Sequence, residues 1–185
     1  ASDVYKRQEL KQSDLESLKN IVTEFEGKPG KQLGTELYHL CSALMPSVNV
    51  DVMVRNTSGI LLCWRHDNFY GPGWHVPGGV LRHKETLQER VKAVLISECG
   101  IDLGSADIGD PYLVSELFHK ERCIRGHFIS MLYVLDERQI IENGGALRSA
   151  QDRSSMQSFT QAPDNIISQQ KEVYGPIIEQ ICGSS

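Results

Sequence analysis

Trp74 to Ile101, WHVPGGVLRHKETLQERVKAVLISECGI, restricts the fold more than any other stretch of the chain. A Gly-Gly pair leads into an apolar pattern of helical period that ends on an acid, Glu98, just before Gly100. Thr86 reads as the N-cap, with Gln88 and Glu89 in the first turn, and Leu87, Val91, Val94 or Leu95, and Cys99 form one apolar stripe. Gly100 ends the helix in the left-handed position. A carboxylate at the negative end of a helix dipole is unfavourable without a cation nearby. Gly78 and Gly79 read as a turn that places a free backbone carbonyl beside this acid. Such oxygen donors suit Mg²⁺ and, through it, a phosphate, so the stretch predicts a pyrophosphate-handling site.

The 185 residues are 40% hydrophobic, enough for one domain with an appendage. A net charge of -5 and a pI near 5.7 argue against a nucleic-acid partner, which would call for clustered Lys and Arg. Five cysteines, widely spaced and without a CxxC pair, indicate neither a disulfide framework nor a zinc site. No run approaches the ~18 apolar residues of a membrane span, and the expectation is a soluble, cytoplasmic protein with no membrane partner. Asp3 to Gln8, DVYKRQ, reads as the in-frame translation of a transposon-end sequencing adaptor. Residues 1–8 are therefore expected to be an extraneous leader, 9–46 a helical hairpin, and 47–182 the main domain.

Ser13 with Glu16 makes a capping-box pattern, and Leu15, Leu18, Ile21, Val22 and Phe25 recur at helical spacing until Gly27, Pro29 and Gly30 end the helix. A second helix is expected over Leu33 to Leu44. The pair would cover a sheet edge or form a homodimer contact. From Val48 the period changes to two: Val48, Val50, Val52 and Val54 alternate with Asn49, Asp51, Met53 and Arg55, predicting a hairpin with Ile60 to Trp64 and one buried face. Trp74 to Val76, Tyr112 to Phe118 and His127 to Leu135 read as further strands, and His119 to Gly126 as a charged loop. Asn143 to Ser158 reads as loop, and Pro163 as the first turn of a last helix. This order predicts an α/β sandwich of mixed sheets.

The organising stretch resembles a Nudix box. Gly79, Glu85, Leu95, Glu98, Gly100 and Ile101 stand in its register, whereas Ala93 and Val94 replace its Arg-Glu pair and Ser97 the first of its two late glutamates. With Trp74-His75-Val76-Pro77-Gly78-Gly79 ahead of it, the resemblance implies a Nudix-type α/β/α sandwich of mixed sheets with an N-terminal helical hairpin. The depleted box is similar to that of the GDP-mannose mannosyl hydrolase branch. Leu44 to Leu135 and Pro163 to Ile167 also resemble Nudix proteins encoded among surface-polysaccharide genes, on strings such as Trp64-Arg65, Gly71-Pro72-Gly73-Trp74-His75 and Arg125-Gly126-His127. The resemblance implies a Mg²⁺-dependent hydrolase of a nucleoside diphosphate-sugar, releasing nucleoside diphosphate and sugar. Its rivals are cleavage of another nucleoside diphosphate derivative and a catalytically silent nucleotide-binding module.

In this reading Glu98 and the Gly78 carbonyl are metal ligands, Glu98 also being catalytic. Glu85 either supports the metal or caps the helix. Arg65, Arg90, Arg125 and Gly79 are expected to contact substrate, with an ion pair to Glu89 or another acid as the alternative for Arg90. His127 is the candidate general base because imidazole is the side chain suited to proton transfer near neutral pH, and His75 is the second candidate. The branch's histidine has no counterpart here, since no histidine follows Glu142. Asp110, Glu116 and Glu121 are candidates for a third ligand, and Trp74 and Tyr70 for stacking on a base.

Overall fold

The computed structural model describes residues 10–26, 28, 30–66, 70–147 and 155–183; the expected leader at 1–8, Gly27 and Pro29 lie outside them. Valine-rich alternation makes β1 (Ser47–Asn56) the centre of the sheet. An Asx turn, in which Ser58 N donates to Asn56 Oδ1 at 2.9 Å, reverses the chain into β2 (Gly59–Arg65). β3 (Gly73–His75) pairs with β2, and β4 (Gly78–Val80) with β1. On its other side β1 runs parallel to β7 (His127–Asp136), which pairs antiparallel with β6 (Leu113–Phe118). The sheet is thus mixed, with order β3-β2-β1-β7-β6.

Helices close both faces, giving the expected α/β sandwich. Val50, Val52 and Val54 pack with Val91, Val94 and Leu95 of the helix that follows β4. On the opposite face Met53, Ile60, Leu62 and Leu132 pack with Tyr174, Ile177, Ile178 and Ile181 of α5 (Ser168–Gly183). The expectation of one buried face on β1 is corrected: Asp51 and Met53, on the second face, are as buried as the valines. A strand flanked on both edges and covered on both faces has no solvent side.

Four further expectations change. Gly78-Gly79 is not a turn but the start of β4, extended against β1. Asn143 to Ser158 is not all loop, because β8 (Ala146–Leu147) pairs with β5 (Ile101–Asp102) and β9 (Met156–Phe159) pairs with β2. Pro163 precedes rather than starts the last helix, since Ile166 bridges to Trp74 before α5 begins. Ser13 does not cap α1 (Gln12–Phe25); it lies inside, and Lys11 occupies the N-cap without a side-chain bond. α1 contains no buried residue, and Ser42 is the single one in α2 (Thr35–Leu44). A short helix, α4 (Glu137–Glu142), follows β7, and among the described residues no helix is long and apolar enough to cross a membrane.

Ile178→Ala, which opens a fully buried site beneath the sheet, is expected to cost about 2–5 kcal/mol in urea unfolding. Leu18→Ala, on the exposed α1, is expected to stay within about 0.5 kcal/mol of the parent.

Candidate active site

The helix after β4 starts as the sequence predicts. Thr86 accepts from Glu89 N at 3.2 Å while the Glu89 carboxylate accepts from Thr86 N at 2.8 Å, a complete capping box over α3 (Leu87–Val94). At Leu95–Cys99 the winding widens to a π-turn closed by Gly100 at φ 62°. In an unbroken α-helix Glu98 would stack above buried Val94, four residues earlier. The extra residue of a π-turn rotates the positions after it, a device found often at functional sites. Glu98 here lines a cavity of about 170 Å³.

His75 holds this acid. Its Nε2 lies 2.8 Å from Glu98 Oε2, and its Nδ1 lies 2.7 Å from the Cys63 carbonyl oxygen. That carbonyl can only accept, so Nδ1 is the donor of that bond. His75 is buried, while the Glu98 side chain keeps 28% of its surface exposed.

Gly78 lines the same cavity as Glu98. Backbone bonds join Val52 N to the Pro77 carbonyl and Leu81 N to that of Val48, so the Asp51–Gly78 pair between them is of the non-hydrogen-bonded type. The Gly78 carbonyl accordingly makes no bond to β1. A Cβ at this position would run into Asp51 Oδ1, which only glycine avoids.

Asp51 is the residue that the sequence reading passed over. Its Oδ2 accepts from Ser130 Oγ, from the Tyr174 hydroxyl at 2.6 Å and from Asn49 Nδ2 at 2.9 Å, leaving Oδ1 beside Gly78. Burial raises its pKa, and these three donors oppose the shift. An acid within a run of valines was its one signal. Asn49, His119 and Gln169 also line the cavity unforeseen; burial, then Arg122, lowers the His119 pKa. Gln170 is structural: its side chain accepts from Val76 N at 2.7 Å.

Of the predicted residues, Glu98, Gly78, Gly79, Arg65 and Arg125 meet at the cavity, with His75 and Tyr70. Glu85, Arg90 and His127 are not among its lining residues. Glu85 Oε2 accepts from Arg82 N at 2.9 Å and from Arg90 Nε at 2.8 Å, and Oε1 accepts from Arg90 Nη2. Both side chains are 7% exposed, so this carboxylate is turned to the guanidinium, which satisfies the ion-pair alternative for Arg90. His127 Nε2 lies 2.8 Å from Glu116 Oε1, with its ring against Phe118. Asp110, Glu116 and Glu121 do not line the cavity, and Trp74 packs in the core between Trp64 and Phe159.

Residues 45–173 match the NUDIX domain. The chain belongs to the Nudix family. Its Nudix box is thus incomplete in sequence yet folded, with Arg90 meeting Glu85 where Ala93 leaves the box arginine missing. Among curated proteins the chain is 32% identical over 76 residues to the low-salt glycan biosynthesis protein Agl8 of Haloferax volcanii, covering 41% of this chain and 49% of that protein. It is 29% identical over 116 residues to an ADP-ribose pyrophosphatase of Methanocaldococcus jannaschii, covering 63% of each. The chain therefore spans 49% of the first relative and 63% of the second. Among solved structures, a bifunctional NMN adenylyltransferase/ADP ribose pyrophosphatase from Francisella tularensis superposes with a TM-score of 0.56 at 20% identity, over 92% of this chain and 48% of that one. A UDP-X diphosphatase superposes with a TM-score of 0.53 at 12% identity, over 93% and 81%. At such identities the likeness speaks for the Nudix fold alone.

Arg90→Ala leaves the buried Glu85 carboxylate without its partner and is expected to cost about 3–5 kcal/mol in chemical denaturation. Glu116→Ala, which removes the exposed partner of His127, is expected to change stability by less than about 1 kcal/mol.

Proposed function

We propose that this Nudix protein hydrolyses a nucleoside diphosphate-sugar with the help of Mg²⁺. The observation that carries the reading is a single cavity lined by two acids, Glu98 and Asp51, and by two arginines, Arg65 and Arg125. The relatives support the substrate class, one being named for ADP-ribose and the other for glycan biosynthesis.

The donor set fits a hard cation. Glu98, the unpaired Gly78 carbonyl, Asp51 Oδ1 and the Gln169 side chain are oxygen donors around one cavity. Among the described residues no three His, Cys, Asp or Glu side chains form a metal cluster. That suits Mg²⁺, which keeps several waters and takes one or two carboxylates rather than a protein cage. Mg²⁺ bound there would offset charge on the diphosphate leaving group.

The chain's own residues then divide the work. Glu98 and Gly78 orient the ion's side of the diphosphate, with His75 fixing the Glu98 carboxylate. Arg65 and Arg125 neutralise the remaining phosphate oxygens, for which guanidinium forks are suited. Asp51, held rigid by Ser130, Tyr174 and Asn49, keeps Oδ1 beside Gly78, where it would support the same ion. His127, the sequence-based candidate base, is paired with Glu116 outside the cavity lining, and both ring nitrogens of His75 are bonded, so the base role passes to His119, which lines the cavity.

Attack at the sugar carbon yields nucleoside diphosphate and free sugar. The similarity to an ADP-ribose pyrophosphatase favours a second reading, attack at phosphorus, which yields nucleoside monophosphate and a sugar phosphate.

Phosphorus NMR of a panel of nucleotide sugars, incubated with Mg²⁺ or with chelator, tests both. The expected products are nucleoside diphosphate and sugar, formed only with Mg²⁺, and Glu98→Gln is expected to lower kcat by about 100-fold or more, as loss of a transition-state contact does. No turnover across the panel would refute the proposal.

A further inference from the structure

We infer that α2, which precedes the family-matched region, belongs to the substrate site: Tyr38 and Ser42 position Arg125 so that its guanidinium meets a phosphate of a nucleoside diphosphate. The inference rests on the reading of the cavity given above.

Arg125 has a backbone φ of 53°, a left-handed conformation that a long side chain adopts only where its surroundings impose it. Those surroundings come from three directions. Arg125 N donates to Ser42 Oγ at 3.3 Å, and the Tyr70 hydroxyl donates to the Arg125 carbonyl at 3.5 Å. The following residue, Gly126, has no room for a Cβ, which would run into the Arg122 carbonyl, so the turn is tight. The Arg125 guanidinium lies 5.1 Å from the Tyr70 ring centre and 5.9 Å from that of Tyr38, within reach of a cation–π contact. Burial raises the Tyr38 pKa and the Arg125 charge opposes that rise.

The way α2 is attached makes the same point. A helix that only covers a sheet docks through an apolar stripe. Here Leu40 and Leu44 are exposed, and the single buried residue is a serine. The Ser42 hydroxyl donates to the His39 carbonyl at 2.9 Å and accepts from Arg125 N, so both of its bonding roles are filled. Arg125 and Tyr70 line the cavity, whereas Tyr38 and Ser42 do not. The two α2 residues are therefore positioning residues that act through Arg125.

The test compares the wild type, Ser42→Ala/Tyr38→Leu, Arg125→Ala and the triple variant. Calorimetry with ADP, GDP and UDP in Mg²⁺ comes first. Failure of the wild type to bind any of them overturns this inference together with the proposed function. Binding without turnover of nucleotide sugars sinks the hydrolase proposal alone, and the affinities then decide this one. The double substitution is expected to weaken nucleoside diphosphate binding by about tenfold, the combined scale of a neutral hydrogen bond and a cation–π contact. Where turnover is measured, KM rises by a similar factor and kcat stays within about twofold. In the Arg125→Ala background the same two substitutions are expected to change nothing further, because their effect passes through Arg125. Unchanged binding in the double variant, or an equal loss in both backgrounds, overturns the inference. Should the double variant fail to fold, Tyr38→Leu alone, which removes the ring contact with Arg125, carries the same comparison.

Discussion

The close pairing of β4 with β1 is the constraint on which the site depends. Gly78 and Asp51 face each other where no side chain fits on Gly78, and the alternation of ladder bonds leaves the Gly78 carbonyl unused by β1. A buried carboxylate at that point would be costly alone. Ser130 from β7, Tyr174 from α5 and Asn49 from β1 itself satisfy it, so one acid ties three elements together beneath the cavity. The same pairing delivers the chain from β4 into α3 at a fixed angle, and the Glu85–Arg90 ion pair holds that corner. Glu98 arrives at the cavity that Gly78 lines because the helix so launched ends in a π-turn.

Within this frame the incomplete box has a physical explanation. The box arginine and the neighbouring glutamates are absent, yet the corner they would stabilise is closed by Arg90 from one turn earlier. The remaining acid, Glu98, is fixed by His75 rather than by a second acidic neighbour. Fewer acids mean fewer bound cations, and the arginines lining the cavity take over part of the charge neutralisation in the proposed reaction.

Much of the central fold was legible. The period-two run in β1, the capping box at Thr86 and the left-handed stop at Gly100 are local signals that the tertiary structure leaves intact. What could not be read depends on long-range contact. β9 is a strand because β2 offers it an edge, not because MQSF alternates strongly, and Gly78-Gly79 is extended because β1 pairs with it. The π-turn has no period of its own in the sequence. Asp51 looked like the polar side of a half-exposed strand, since nothing local shows that β1 is covered on both faces. For the same reason Arg90 and Glu85 looked available for ligands, although their charges are spent on each other inside the fold.

The most direct measurement of the central claim is a Mn²⁺ titration followed by electron paramagnetic resonance, with wild type and Glu98→Gln compared at neutral pH. The account predicts one site per chain in the wild type and a dissociation constant raised by about tenfold or more in the variant, the scale expected when a charged ligand is removed. Equal affinity in the two proteins would place the cation elsewhere and contradict the role given to the cavity lined by Glu98 and Gly78.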